Sequence, residues 1–252
     1  MKELSDYFGK HIKEKRIVIT GGTTGIGRAV AELLVSLGGR VLTFGRDATH
    51  LNDAFEAIKN KYPEGKLYGK PADITKKEDI EMIFEEIESS LGGIDILINN
   101  AALGADGVTE SSFEKSKYII DTNIMGYLAF CEEAAKKMSE QKSGHIVNIG
   151  SMSAETREET GTIYVATKAA IRGFTAALRK EINPLGIKVT LIEPGSVNTD
   201  MQPGTEEERL EKVAKMEMME ANDIAMSVLF CLSQPKRCDV VSLQIRPHLQ
   251  LI

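Results

Sequence analysis

Short runs rich in Val, Ile and Leu recur along this chain, each separated from the next by a stretch of helical period. This alternation restricts the possible folds more than any other feature. The runs are Arg16–Thr20, Arg40–Phe44, Lys66–Gly69, Asp95–Ile98, His145–Ile149, Ile187–Ile192 and Val240–Ile245. Several are nearly continuous in apolar residues, as in parallel strands covered on both faces. Between them, Ile26, Ala29/Val30, Leu33/Leu34 and Leu37 repeat at helical spacing, as do Leu51, Ala54/Phe55 and Ile58, and then Ile80, Ile83/Phe84 and Ile87. Longer helices are predicted over Ser111–Met138, Gly161–Asn183 and Asn222–Ser233. A parallel pair of strands needs a crossover, which a helix supplies. The pattern therefore predicts an α/β fold in three layers, a doubly wound, seven-stranded parallel sheet with helices on both faces.

A chain of 252 residues suits one domain of this kind. Residues 1–14 read as an N-terminal extension to it. Two stretches break the alternation and are read as loops, Met152–Glu159 and Ser196–Met219. Both follow strands, so both belong on the rim beyond the strands' carboxyl ends, where such sheets bind ligands. Residues 196–219 are the expected substrate-side loop.

Charge and composition narrow the partners. A net charge of −6 lacks the positive field that nucleic-acid binding requires, though it allows a local site for one phosphate. No run suits a bilayer, and the opening MKELSDYFGKHIKEKR lacks the apolar centre of a signal peptide, so no membrane partner and a cytoplasmic location are expected. Cys131, Cys231 and Cys238, and His11, His50, His145 and His248, show no metal-ligand spacing, and no metal is expected.

Thr20-Gly21-Gly22-Thr23-Thr24-Gly25-Ile26-Gly27 joins the first strand to the first helix. A pyrophosphate must approach backbone N–H groups at a helix N-terminus, and glycines at 21, 25 and 27 permit that approach. The second strand ends in Gly45-Arg46-Asp47 rather than in an acidic residue. An acid at the tip would bind ribose hydroxyls and repel a 2′-phosphate, whereas Arg46 can grip one, so NADP(H) is favoured over NAD. The alternative is a solvated Arg46 with Asp47 on the ribose. Asp73, after the third strand, either accepts from an adenine amino group or caps a helix near Thr75. Asn99-Asn100-Ala101-Ala102, after the fourth, lets backbone pass close to a flat ligand.

Tyr164 and Lys168, in YVATK, lie one helical turn apart on one face. A phenol with a pKa of about 10 is a poor acid or base at neutral pH, and a neighbouring ammonium is expected to lower it. The pair would then exchange a proton with a carbonyl oxygen. Ser151, ending the fifth strand, would hydrogen-bond that oxygen. Asn123, an amide within a predicted helix, would hold a water near Lys168. Each residue has an ordinary reading too, as helix contact, turn residue or backbone partner. Arg157 is either a substrate carboxylate's partner or a surface residue neutralised by Glu155, Glu158 and Glu159.

Taken together, TGGTTGIG (20–27), NNAA (99–102), Asn123, Ser151, YVATK (164–168) and the Pro194–Thr199 segment resemble the short-chain dehydrogenase/reductase family over nearly the whole chain. The resemblance implies a Rossmann-type fold, a homo-oligomer (tetramer or dimer), and a catalytic set of Asn123, Ser151, Tyr164 and Lys168. It implies cofactor contacts from Gly21, Thr23, Thr24, Gly25, Ile26, Gly27, Arg46, Asp73, Ile74, Asn100, Ala101, Tyr164, Lys168, Pro194, Gly195, Val197 and Thr199. Arg46 matches the family's NADP-preferring subset. Ala102 stands where the family usually has glycine. The C-terminal Ile245-Arg246-Pro247 is similar to the branch acting on 3-hydroxy acids, serine-like amino acids and small carbonyls. The expected activity is hydride transfer between NADP(H) and a secondary alcohol or ketone. A 3-oxoacyl-thioester reductase and a non-catalytic NADP(H)-binding regulator remain as alternatives.

Overall fold

Successive residues of a strand point to opposite faces of a sheet, and here the two faces feed two separate cores. Ile17 and Ile19 enter one core and Val18 the other, and Val41 and Leu42 divide in the same way. In the computed structural model, which describes residues 8–105, 107–159 and 161–250, these runs form the expected sheet. The elements are β1 (Arg16–Thr20), α1 (Gly25–Ser36), β2 (Arg40–Phe44), α2 (Ala48–Lys61), β3 (Lys66–Tyr68), α3 (Lys77–Leu91) and β4 (Ile96–Asn99). Then follow α4 (Phe113–Ile120), α5 (Gly126–Gln141), β5 (Gly144–Ile149), α6 (Ser153–Thr156), α7 (Thr162–Ile182), β6 (Ile187–Pro194), α8 (Glu206–Ala214), α9 (Ala221–Leu232) and β7 (Ser242–Ile245). All seven strands are parallel, in the order β3-β2-β1-β4-β5-β6-β7.

One core lies between the sheet and α1 and α9, through Val30, Leu34, Ile224 and Val228. The other lies under α3, α5 and α7, through Ile83, Phe130, Met138 and Leu178. Phe130 stacks on Phe44 with ring centroids 5.2 Å apart. Ile12, in the segment read as an N-terminal extension, is fully buried in the first core, so part of that segment belongs to the domain. Residues 1–7 of it lie outside the described residues. The strand order reverses between β1 and β4, and there the crossovers leave a crevice at the carboxyl ends.

The predicted helix Ser111–Met138 is a composite. It starts at Phe113, with Ser112 accepting from the Lys115 N–H at 3.1 Å, and runs to Gln141. Between α4 and α5, Asp121–Met125 form a wider π-turn. The two expected loops also hold helices, α6 in the first and α8 in the second. Thr205 and Glu208 form a reciprocal capping box that starts α8. A Thr three residues before a Glu is a readable start signal, so α8 was legible in the sequence.

His145 lies on β5, where its Nε2 meets the Thr190 hydroxyl at 2.8 Å. That hydroxyl donates its own proton to the Val240 carbonyl, so neutral His145 must be the donor. Burial, reinforced by Lys188, pushes the His145 pKa down to about 4 from 6.5. Between these values the unfolded chain binds a proton that the folded chain does not, so stability falls as pH drops through that window. The contribution lost is about 3 kcal/mol at most. His145→Gln is expected to flatten this part of a denaturant-midpoint-versus-pH curve; an unchanged slope would exclude the assignment.

Candidate active site

A cleft of about 800 Å³ opens at the reversal point. Its floor is backbone. Gly21 and Gly25 have φ of +68° and +52°, the left-handed region that favours glycine. A β-carbon at Gly27 would lie 2.2 Å from the Gly21 carbonyl, and one at Gly45 would lie 2.7 Å from Thr23. The Asn100 amide donates to the carbonyls of Thr20 (3.2 Å) and Gly21 (2.9 Å). The Thr20 hydroxyl accepts from the N–H groups of Asn100 and Ala101, both at 3.0 Å. Asn100 and the glycine loop thus brace each other. Thr24, the cap of α1, makes no side-chain bond to the first turn. That turn's N–H groups stay available to an anion where Gly25 and Ile26 line the cleft. Such a bed fits a dinucleotide pyrophosphate. Pro194, Gly195, Val197 and Thr199 form the facing wall.

Arg46 and Asp47 both reach the cleft beyond β2. The Asp47 carboxylate is in use as the cap of α2, accepting from the N–H groups of Thr49 (2.7 Å) and His50 (3.1 Å). Arg46 donates to the Tyr118 hydroxyl and lies 5.4 Å from the centre of its ring. Tyr118 in turn donates to Asp73 at 2.9 Å. Nothing in the sequence flagged Tyr118, because only the fold brings α4 to the end of β2. Asp73 sits between Ala72 and Ile74, both of which line the cleft. Its carboxylate accepts from the Thr75 N–H (3.0 Å) and hydroxyl (2.8 Å). It closes a turn rather than capping α3, which begins at Lys77. Burial opposes its ionisation, but the bonds from Thr75 and Tyr118 outweigh burial and hold its pKa below the usual value.

Ser151, Tyr164 and Lys168 converge on the other half of the cleft. The Ser151 hydroxyl lies near the Tyr164 phenol and favours its ionised form. It also donates to the Ser153 hydroxyl at 3.1 Å. Lys168 is 2% exposed, and its ammonium lies 5.5 Å from the Tyr164 ring centre and 5.7 Å from that of Tyr127. It donates to the Ile149 carbonyl at 3.0 Å, as does the Tyr127 hydroxyl. The expected lowering of the Tyr164 pKa is absent here. Burial, assisted by the Glu158 carboxylate and opposed by Ser151, raises it. Burial also lowers Lys168 to about 8. Desolvation of each group outweighs their mutual effect.

Asn123 is fully buried in the π-turn, and its side chain is committed. Its carbonyl oxygen accepts from the Leu103 N–H (2.7 Å), and its amide donates to the Leu103 carbonyl (2.8 Å) and the Thr167 hydroxyl (3.1 Å). It clamps the loop after β4 to α7, so the amide is not free to hold a relay water. Thr167 continues the clamp by donating to the Tyr164 carbonyl at 2.8 Å. Arg157 is exposed and is not among the residues lining the cleft. Leu103, Gly104, Met201 and Gln202 line the cleft without having been singled out from sequence, since apolar loop residues have no pattern that marks them.

A glycine loop and a Ser–Tyr–Lys cluster share one cleft at the reversal point of a parallel sheet, the arrangement of a Rossmann-type oxidoreductase. The model of the short chain dehydrogenases matches residues 15–210, and the chain belongs to that family. An uncharacterised oxidoreductase of Staphylococcus aureus (strain MRSA252) is 35% identical over 237 residues, covering 94% of this chain and 98% of that one. The 3-ketoacyl-(acyl-carrier-protein) reductase of Brucella melitensis complexed with NADH shares the fold. Its TM-score is 0.83 at 22% identity, over 95% of this chain and 100% of that one. The closed form of a serine dehydrogenase complexed with NADP+ matches at 27% identity and a TM-score of 0.79, over 91% and 94%. Among the described residues, no helix suits a membrane span and no cluster suits a metal.

Proposed function

We propose that the protein interconverts a ketone and a secondary alcohol using NADP(H), with Tyr164 as the proton donor and acceptor. The observation that carries this reading is the meeting of Ser151, Tyr164 and buried Lys168 at the cleft that the glycine loop enters. When bound, a reduced nicotinamide supplies the hydride. Tyr164, held protonated at neutral pH by burial, gives its proton to the carbonyl oxygen. The Ser151 hydroxyl, freed from Ser153 by rotation, donates to the same oxygen and stabilises its developing charge. Lys168 places a positive charge beside Tyr164, which favours the phenolate left behind. Asn123 and Thr167 hold the wall and the helix that present these groups. A regulator without turnover has no use for an ammonium kept dry at such cost.

The preference for NADP(H) rests on Arg46, which Tyr118 steadies at the cleft while Asp47 is occupied by α2. A charge-assisted bond to a 2′-phosphate is worth about 1.5–3 kcal/mol, so Arg46→Ala is expected to weaken NADPH binding about 10- to 100-fold. NADH binding should barely change. Fluorescence titration of both nucleotides reads this directly, and equal losses for the two would remove the argument. Consumption of NADPH with a panel of carbonyl compounds tests the activity itself.

A further inference from the structure

The substrate half of the cleft is largely apolar, and among the described residues that line it there is no cation free to meet an anionic substrate. Leu103 and Gly104 form one wall, and Met201 crosses from the other. Met201 Cγ lies 3.4 Å from where a β-carbon on Gly104 would stand. Next to Met201, Asp200 lines the cleft with its side chain 79% exposed.

Among the described residues, the cations near the cleft are already engaged or lie outside its lining. Arg46 sits at the opposite, nucleotide end, while Lys168 is spent on the Ile149 carbonyl behind the Tyr164 ring. Arg209 forms an ion pair with Asp200 at 3.7 Å and is held further by the Asn198 side chain (3.0 Å) and the Gly204 carbonyl (2.7 Å). Arg157 and Arg246 are exposed and outside the lining.

From this charge distribution we infer that the substrate is an uncharged carbonyl compound, or its alcohol, with an apolar substituent between Leu103 and Met201. Free carboxylates, including 3-oxo acids, 3-hydroxy acids and amino acids, are selected against. The inference rests on Tyr164 being the proton donor that fixes where the carbonyl oxygen sits. A carboxylate two or three atoms from that oxygen would give up water without gaining a cation in return. The C-terminal likeness to enzymes of hydroxy acids adds no cation to the cleft, because Arg246 is exposed and outside its lining.

The test compares pairs with one carbon skeleton, an ester of 3-oxobutanoate against 3-oxobutanoate itself, and 2-pentanone against 4-oxopentanoate. With wild-type enzyme and NADPH, kcat/KM for the neutral member is expected to be at least about 100-fold higher. Titrating the same compounds against the enzyme–NADP+ complex reads the preference without turnover. Met201 is 46% exposed, so Met201→Arg should fold and place a cation at the mouth. It is expected to narrow the ratio at least about tenfold by improving the acid. Acid and ester handled equally by the wild type, no binding by the neutral members, or an unmoved ratio in Met201→Arg would each overturn the inference. Tyr164→Phe separates the two readings. Turnover surviving that change removes the proposed function, whereas its loss together with equal use of acid and ester removes only the substrate class.

Discussion

Tyr164→Phe is expected to lower kcat by about 10²–10⁴, the usual worth of a positioned acid or base. Phenylalanine keeps the ring that packs beside Lys168 and deletes only the hydroxyl that faces Ser151. The nucleotide bed lies on β1, β2 and β4 and is untouched, so NADPH affinity should persist. Because burial and Glu158 raise the phenol's pKa, the wild-type enzyme carries the proton throughout the neutral range. Ketone reduction should therefore hold across the neutral range and fall above about pH 8, where Lys168 gives up the charge that supports the phenolate. Loss of absorbance by NADPH measures both results. A Tyr164→Phe enzyme retaining a tenth of wild-type turnover or more would show that another group moves the proton.

Lys168→Met is expected to make the cofactor-free protein more stable while lowering turnover by about 100-fold or more, through loss of the charge that supports the phenolate. The stability half follows from the direction of its pKa. Burial lowers Lys168 from 10.5 to about 8. Between these values the unfolded chain holds a proton that the folded chain has released, so stability from this group rises with pH across that window. Below pH 8 the folded chain bears nearly the whole cost of the buried charge, about 2–3 kcal/mol. Methionine removes that cost at similar length but forfeits the bond to the Ile149 carbonyl, worth about 1 kcal/mol. The balance favours the variant by about 1–2 kcal/mol at pH 7, a rise in Tm of about 2–6 °C. Thermal unfolding at pH 7 and again near pH 10 checks the sign. The gain should shrink at the higher pH, and a variant less stable than wild type at pH 7 would contradict it. Function would then be retained here against stability, a common state of active-site residues.

These two residues also separate what is local in the chain from what only the fold supplies. Their spacing, and that of the glycine loop and Ser151, is local: it depends on 3.6 residues per turn and on a strand ending where apolar residues stop. The strands were recovered for the same reason. Even the capping box at Thr205 and Glu208 was local and available, though Ser196–Met219 was read as a plain loop. Misplaced boundaries trace to competing partners. Asp95, read as part of the fourth run, instead gives its carboxylate to the Arg16 N–H and guanidinium, and β4 starts one residue later.

Long-range encounters were another matter. Asn123 was singled out as an amide inside a helix, but its partners, Leu103 and Thr167, are 20 and 44 positions away, and only folding reveals that it is a clamp. Tyr118 steadies Arg46 across 72 positions and had no local signal at all. The sign of the Tyr164 shift was misjudged because neighbouring charge can be counted along a helix, whereas desolvation depends on everything packed around it. Periodicity and motif spacing, set by the geometry of single elements, therefore determined the parallel sheet and the residues that gather at its crevice. Tertiary packing decided which of those residues are dry, which are already bonded and what charge surrounds the substrate. Burial and electrostatic environment are properties of all the neighbours together, and no stretch of chain contains them.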